Sequence, residues 1–173
     1  MMQKLKILPS IITALTALTL TSCSTTTAEQ YEATALNSYT WQVKYANNLT
    51  SQPQPRIEIF ANTSVLNRNG LKPAGAVIGP DDRGLWWPTL PPRPSVDEVE
   101  QRKRPQEEAG KPELVKDVQY KLIYGVGNLQ KTLPTNYDVY RQVVKAYPQR
   151  TPLQLTLGVN DNSVEKAEPL SKY

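Results

Sequence analysis

The chain has no histidine, and its one cysteine is Cys23. Without imidazole there is no Ser-His-Asp or Cys-His catalysis, no His-ligated metal and no imidazole pH sensor. Carboxylates, one thiol and aromatic rings are what remain for chemistry. Asp81 and Asp82 offer hard oxygens of the kind Ca²⁺ takes, but the acid spacing of an EF-hand loop is missing and Arg83 follows to neutralise one of them. Asp97, Glu98 and Glu100 are the acids nearest to a glycosidase pair, which must converge across a cleft at about 5 to 9.5 Å. Here they fall on one polar helix beside basic partners. Gly125-Val126-Gly127 lacks both the third glycine of a dinucleotide fingerprint and the lysine of a phosphate loop, and reads as a hairpin turn. Trp86 and Trp87 stand next to each other and run into Pro88, Pro91, Pro92 and Arg93. Two indoles on a rigid proline segment can stack on sugar rings or grip an apolar patch of a partner. They can equally cover the open side of a sheet and pin the segment to it, and the residue types leave both readings open. No catalytic residue, metal ligand or cofactor is assigned.

Two short motifs carry resemblances. Lys4 and Lys6 precede an apolar run over residues 7–20, and Leu20-Thr21-Ser22-Cys23 closes it. This order is that of a secretion signal. The run would reach only about 21 Å as a helix, short of the ~30 Å hydrocarbon core of a bilayer. Leu20-Thr21-Ser22-Cys23 resembles the lipobox of bacterial lipoproteins. The resemblance implies cleavage before Cys23, a diacylglyceryl thioether on its sulfur and acylation of the new amino terminus. It covers residues 1–23 and is silent on the domain behind them. Ser24 after the cysteine resembles lipoproteins sent to the outer membrane of two-membrane bacteria, where Asp is the usual retention residue. Two or three acyl chains, at about 0.8 kcal/mol per buried methylene, hold a protein stably on a bilayer it does not cross. The second motif, from Pro88 to Arg93, resembles an SH3-domain ligand, with two spaced prolines and a basic residue; proline-rich connectors also produce this pattern by chance.

Removal of the signal leaves a near-neutral chain, because Lys4 and Lys6 depart from a total of 20 basic residues set against 16 acidic ones. Nucleic acid is therefore not an expected partner. With Cys23 carrying lipid there is no disulfide, and stability must come from burial.

The expected organisation is a signal over residues 1–22, a lipidated tether over 23–28, and one α+β domain. The N-terminal part of that domain covers 29–80. A Trp/Pro-rich extended segment, a polar surface helix and a linker cover 81–112. A C-terminal ββαβ part covers 113–160, and a polar tail runs over 161–173. Within this frame the stretch from Glu29 has two periodicities. Leu36, Tyr39, Val43, Ala46 and Leu49 fit a helix face, whereas Tyr39, Trp41, Val43 and Tyr45 alternate as in a strand, so a short helix followed by a strand is expected. Ser95 with Glu98 predicts a capping box, and Glu98–Arg102 and Glu100–Arg104 predict i,i+4 pairs along a helix ended by Pro105. Residues 106–112 read as a mobile linker.

The last third is patterned best. Val118, Tyr120, Leu122 and Tyr124 alternate, a Gly-Val-Gly-Asn turn follows, and residues 129–133 form a second strand. Thr135 with Asp138 predicts a helix start, and Tyr137, Tyr140, Val144 and Tyr147 line one side of that helix. Leu153, Leu155, Leu157 and Val159 alternate as a final strand, reached by a right-handed crossover on a small mixed sheet. The fold class expected is α+β: a small mixed sheet with a C-terminal strand-strand-helix-strand unit and a long proline-rich connection.

The function these features predict is a non-enzymatic accessory lipoprotein of the cell envelope. It sits on the bilayer through acylated Cys23. Its segment Trp86, Trp87, Pro88, Pro91, Pro92 and Arg93 is turned to an envelope protein or cell-wall polymer. The alternative is a carboxylate-dependent envelope hydrolase acting on cell-wall glycan or peptide.

Overall fold

The computed structural model describes residues 24–47, 54–75 and 77–170, so Cys23 and the lipobox lie outside the described residues. In chain order the elements are β1 (Thr25–Ala28), β2 (Tyr31–Ala46), β3 (Arg56–Arg68), β4 (Val77–Ile78), β5 (Trp87–Pro88), α1 (Val96–Gln101), β6 (Glu108–Ala109), β7 (Glu113–Val126), β8 (Leu129–Thr135), α2 (Tyr137–Ala146), β9 (Leu153–Leu157) and β10 (Val164–Pro169). One mixed sheet runs in the order β1-β9-β10-β8-β7-β2-β3, and β6 pairs with the end of β2. This is the α+β class expected.

The spine is β2. The stretch expected to begin as a helix is a single 16-residue strand. It pairs with β7 from Tyr31 to Gln42 and with β3 from Thr34 to Tyr45. The helical pattern was coincidental: Leu36 and Ala46 face one side of the sheet, Tyr39 and Val43 the other. With two neighbours and many β-branched and aromatic residues, pairing decides the conformation.

Three covers lie in succession on the side of β2 that carries its odd-numbered residues. Tyr31, Ala33 and Ala35 meet α2, whose Val139, Tyr140, Val143 and Ala146 are buried with Leu122, Tyr124, Leu153, Leu155 and Leu157. The two alanines leave room for the helix to approach. Asn37, Tyr39 and Trp41 meet the segment that follows Gly84. Val43 and Tyr45 meet α1 through Val99, with Phe60 and Ala109 beside them. Each fully buried Leu or Val contributes about 1.5–3 kcal/mol.

The C-terminal unit is strand-strand-helix-strand, as the alternation predicts. Its crossover differs. The strand after α2, β9, does not neighbour β8; β10 lies between them, parallel to β8 and antiparallel to β9. The stretch expected to be only a polar tail thus supplies an internal strand over residues 164–169. Val159 is not part of the last alternation but sits exposed in a 3₁₀ turn. The tether is also structured: β1 pairs with β9, and Leu157 N donates to Ser24 O at 2.8 Å. The linker over 106–112 is held as well, since β6 pairs with Tyr45 and Ala46 and Gly110 N donates to Lys44 O at 2.8 Å.

At the helix ends, the Ser95–Glu98 capping box is present. The two i,i+4 pairs are not formed. Glu98 is taken up by Ser95, Arg102 reaches Glu58 at 3.5 Å, and Glu100 reaches Lys103 at 2.8 Å. The cap of α2 is Asn136, which accepts from Val139 N at 3.0 Å; Thr135 instead ends β8 and donates to Val164 O at 2.6 Å. Among the described residues no helix is long and apolar enough to cross a membrane.

Candidate functional site

From Leu85 to Pro94 burial recurs every third residue: Leu85, Pro88, Pro91 and Pro94 are buried, and the residues between them are half-buried or exposed. Three residues per turn is the period of a polyproline-type helix. One ridge of that path therefore lies on the sheet. The other two ridges carry Trp86, Thr89 and Pro92, and Trp87, Leu90 and Arg93. Pro88 and Pro91, the spaced prolines of the SH3-ligand pattern, lie on the inward ridge. Pro92 and Arg93 are exposed.

A polyproline path has no internal hydrogen bonds, so its carbonyls need partners from elsewhere. The sheet supplies them. Asn67 Oδ1 accepts from Trp86 N at 2.8 Å, and its Nδ2 donates to Trp86 O at 3.0 Å. Asn37 Nδ2 donates to the same carbonyl at 2.9 Å. Thr63 Oγ1 donates to Thr89 O at 2.9 Å and Trp41 Nε1 to Pro91 O at 3.0 Å. Asn37 and Asn67 are fully buried. Residue patterning misses them, because Asn67-Arg68-Asn69-Gly70 reads as a turn and nothing local marks Asn37. The available signal was a polar amide, Asn37, among the apolar odd-numbered residues of β2.

Asp81 is a structural ligand of the loop before the segment. It accepts from Arg83 N, Leu85 N and Trp87 Nε1 at 3.0, 2.9 and 2.8 Å. Partial burial pushes its carboxyl up, but the hydrogen bonds from Trp87, Leu85 and Arg83 outweigh it and hold the group below the ordinary range.

All three tryptophans carry a cation over the ring. Lys72 Nζ lies 5.3 Å from the Trp86 centroid, Lys116 Nζ 5.7 Å from that of Trp87, and the Arg93 guanidinium 5.8 Å from that of Trp41. Trp87 also stacks on Tyr39 at 5.0 Å. Such contacts contribute roughly 0.5–1 kcal/mol at exposed sites.

The chain matches no protein-family model, no curated protein and no solved structure.

The acids considered for catalysis are separated by their bonds. Glu98 caps α1, Glu100 pairs with Lys103, and Asp97 is exposed in the first turn of the same helix. Among the described residues no group of three or more Cys, His, Asp or Glu is arranged to hold a metal ion.

Proposed function

We propose that this protein is a non-enzymatic accessory lipoprotein of the cell envelope, moored through acylated Cys23 and binding an envelope protein or cell-wall polymer with the outward ridges of residues 86–93. The observation that carries the reading is the period-three burial of that segment. Side chains of the sheet hold the main chain at Trp86, Thr89 and Pro91, and the inward ridge is buried, which leaves Leu90, Pro92 and Arg93 exposed beside two half-buried indoles. A rigid, pre-ordered strip loses little conformational entropy on binding. Supporting the mooring, the ladder starts at Thr25, two residues after Cys23, so lipid and domain would be joined with almost no slack.

The test has two arms. Labelled palmitate should enter the wild-type chain and not Cys23→Ala, and Cys23→Ala should leave the membrane fraction. In intact cells, a photocrosslinker at position 90 should capture a discrete partner, and Arg93→Glu should abolish capture while lowering the melting temperature by no more than the few degrees that loss of the contact with Trp41 implies. Equal palmitate labelling of Cys23→Ala would sink the mooring. Capture unaffected by Arg93→Glu would sink the strip.

A further inference from the structure

A cleft of about 380 Å³ lies between the turn after β3, the loop before β5 and the outer side of α2. Lys72, Arg83 and Arg141 line it, with Trp86 as an aromatic wall and Gly84 at the rim. All three cations are exposed, and among the described residues none of them forms an ion pair. Among the described residues no carboxylate lines the cleft. The acids nearby in sequence are turned to other tasks. Asp81 is spent on Arg83 N, Leu85 N and Trp87 Nε1, and Asp138 of α2 lines a different cleft against β10. Asp82 is exposed and is not among the lining residues.

Three positive charges around one concavity, of which Arg83 also feels a neighbouring carboxylate, that of Asp81, repel each other and raise the local concentration of anions. Two guanidinium groups and one ammonium match a tetrahedral dianion, the guanidiniums as forks and the ammonium as a point charge. The positions are not left to chance. Lys72 rests over Trp86, Arg83 lies 5.2 Å from the Tyr137 ring, and Arg141 projects from α2, whose buried face is packed in the core. Trp86 itself is fixed through its main chain by Asn67 and Asn37. The indole adds an apolar wall beside the anion subsite.

We infer that this cleft is a binding site for a phosphate group. The group is free, or carried on a small molecule or a lipid headgroup whose apolar part lies against Trp86. The site shares Trp86 with the strip described above but does not depend on acylation of Cys23.

The full chain in nonionic micelles is titrated with inorganic phosphate, with chloride at equal ionic strength as the control, while the Trp86 indole N–H resonance is followed. A saturable shift with phosphate and none with chloride is the expected result. Arg83→Gln and Arg141→Gln should each weaken it roughly tenfold, the loss of one charge-assisted contact, with the melting temperature unchanged for Arg141→Gln and lowered by no more than a few degrees for Arg83→Gln, which also loses its contact with Tyr137. A saturable shift only in micelles doped with phosphatidylglycerol would assign the group to a lipid headgroup. Absence of a saturable shift with either probe would overturn the inference. So would a Kd unmoved by the combined Lys72→Gln, Arg83→Gln and Arg141→Gln variant, provided that variant melts as the wild type does.

Discussion

Asn67 holds the main chain of Trp86 from both sides, accepting from its N–H at 2.8 Å and donating to its carbonyl at 3.0 Å. A side-chain amide here does what a neighbouring strand would do, one residue before the short β4–β5 ladder begins. The same Nδ2 also donates to Ala35 O at 3.2 Å. One fully buried side chain therefore joins β2, β3 and the Trp/Pro segment. Asn67→Ala would leave the Trp86 N–H without its acceptor, while Asn37 still donates to the carbonyl, at a cost of roughly 1–3 kcal/mol. Denaturant unfolding should show that loss, and tryptophan emission should move to the red as the segment lifts. A loss under about 0.5 kcal/mol, within the range of ordinary surface substitutions, would mean that Asn37, Thr63 and Trp41 hold the segment without Asn67.

Gly70 and Gly84 form a controlled pair. Both have left-handed backbones, at φ +73° and +76°. A Cβ on Gly84 meets no heavy atom within 4 Å, so Gly84→Ala bears only the left-handed penalty, about 1–2 kcal/mol. A Cβ on Gly70 lies 2.7 Å from Val144 Cγ1 on α2. Valine is stiff at χ1 and cannot swing aside cheaply. Gly70→Ala should therefore cost a further 1–3 kcal/mol or so from overpacking. Equal melting temperatures for the two variants would show that α2 yields at Val144.

The strand-strand-helix-strand unit was legible because its strands alternate and its helix repeats at helical spacing. β2 was only half legible, since Leu36 and Ala46 fall by accident on a helical face with Tyr39 and Val43. β10 was hidden by a bulge. The register shift between Val164 and Lys166 brings Val164 and Ala167 to the same face although they stand three apart, so no two-residue period survives in the sequence. The buried asparagines were illegible for a different reason: an amide that replaces a ladder is recognisable only when the segment it serves is in view. Of the candidate site, the extended proline path could be read, but which prolines face inward could not. The cations over the indoles come from distant parts of the chain, and nothing local marks Lys72, Lys116 or Arg93 as their partners.

Burial of tyrosine sets the alkaline limit of the fold. Burial pushes the hydroxyls of Tyr31, Tyr45, Tyr120 and Tyr124 up from 10.0, and that of Tyr140 up to about 12. A group that holds its proton more tightly when folded contributes stability that is complete below its unfolded value and is lost as pH rises through the folded one. Stability should thus decline from about pH 10 to about pH 12. Absorbance at the phenolate band should rise in two stages, the second coinciding with loss of the far-ultraviolet helix and sheet signal. Smooth ionisation of all tyrosines around pH 10, with the fold intact, would contradict the packing of α2 on the sheet.

The acid limit should report the bond between Arg56 and Glu107. Arg56 Nε and Nη2 meet the two Glu107 oxygens at 3.0 and 2.6 Å, and Arg104 N donates to Glu107 at 2.9 Å. The Arg56 fork holds the Glu107 carboxyl at about 2, below the ordinary 4.5. A depressed carboxyl contributes stability that is present above the unfolded value and disappears as pH falls through the folded one. The window is therefore pH 4.5 down to about 2. Arg56 also donates to Arg102 O at 3.1 Å and lies over the Tyr45 ring, so the pair fastens the stretch between α1 and β6 to the start of β3. Glu107→Gln should melt lower than wild type at pH 7, and the two curves should converge as the pH approaches 2. A gap that stays constant down to that pH would mean that shape, and not charge, ties this stretch to β3.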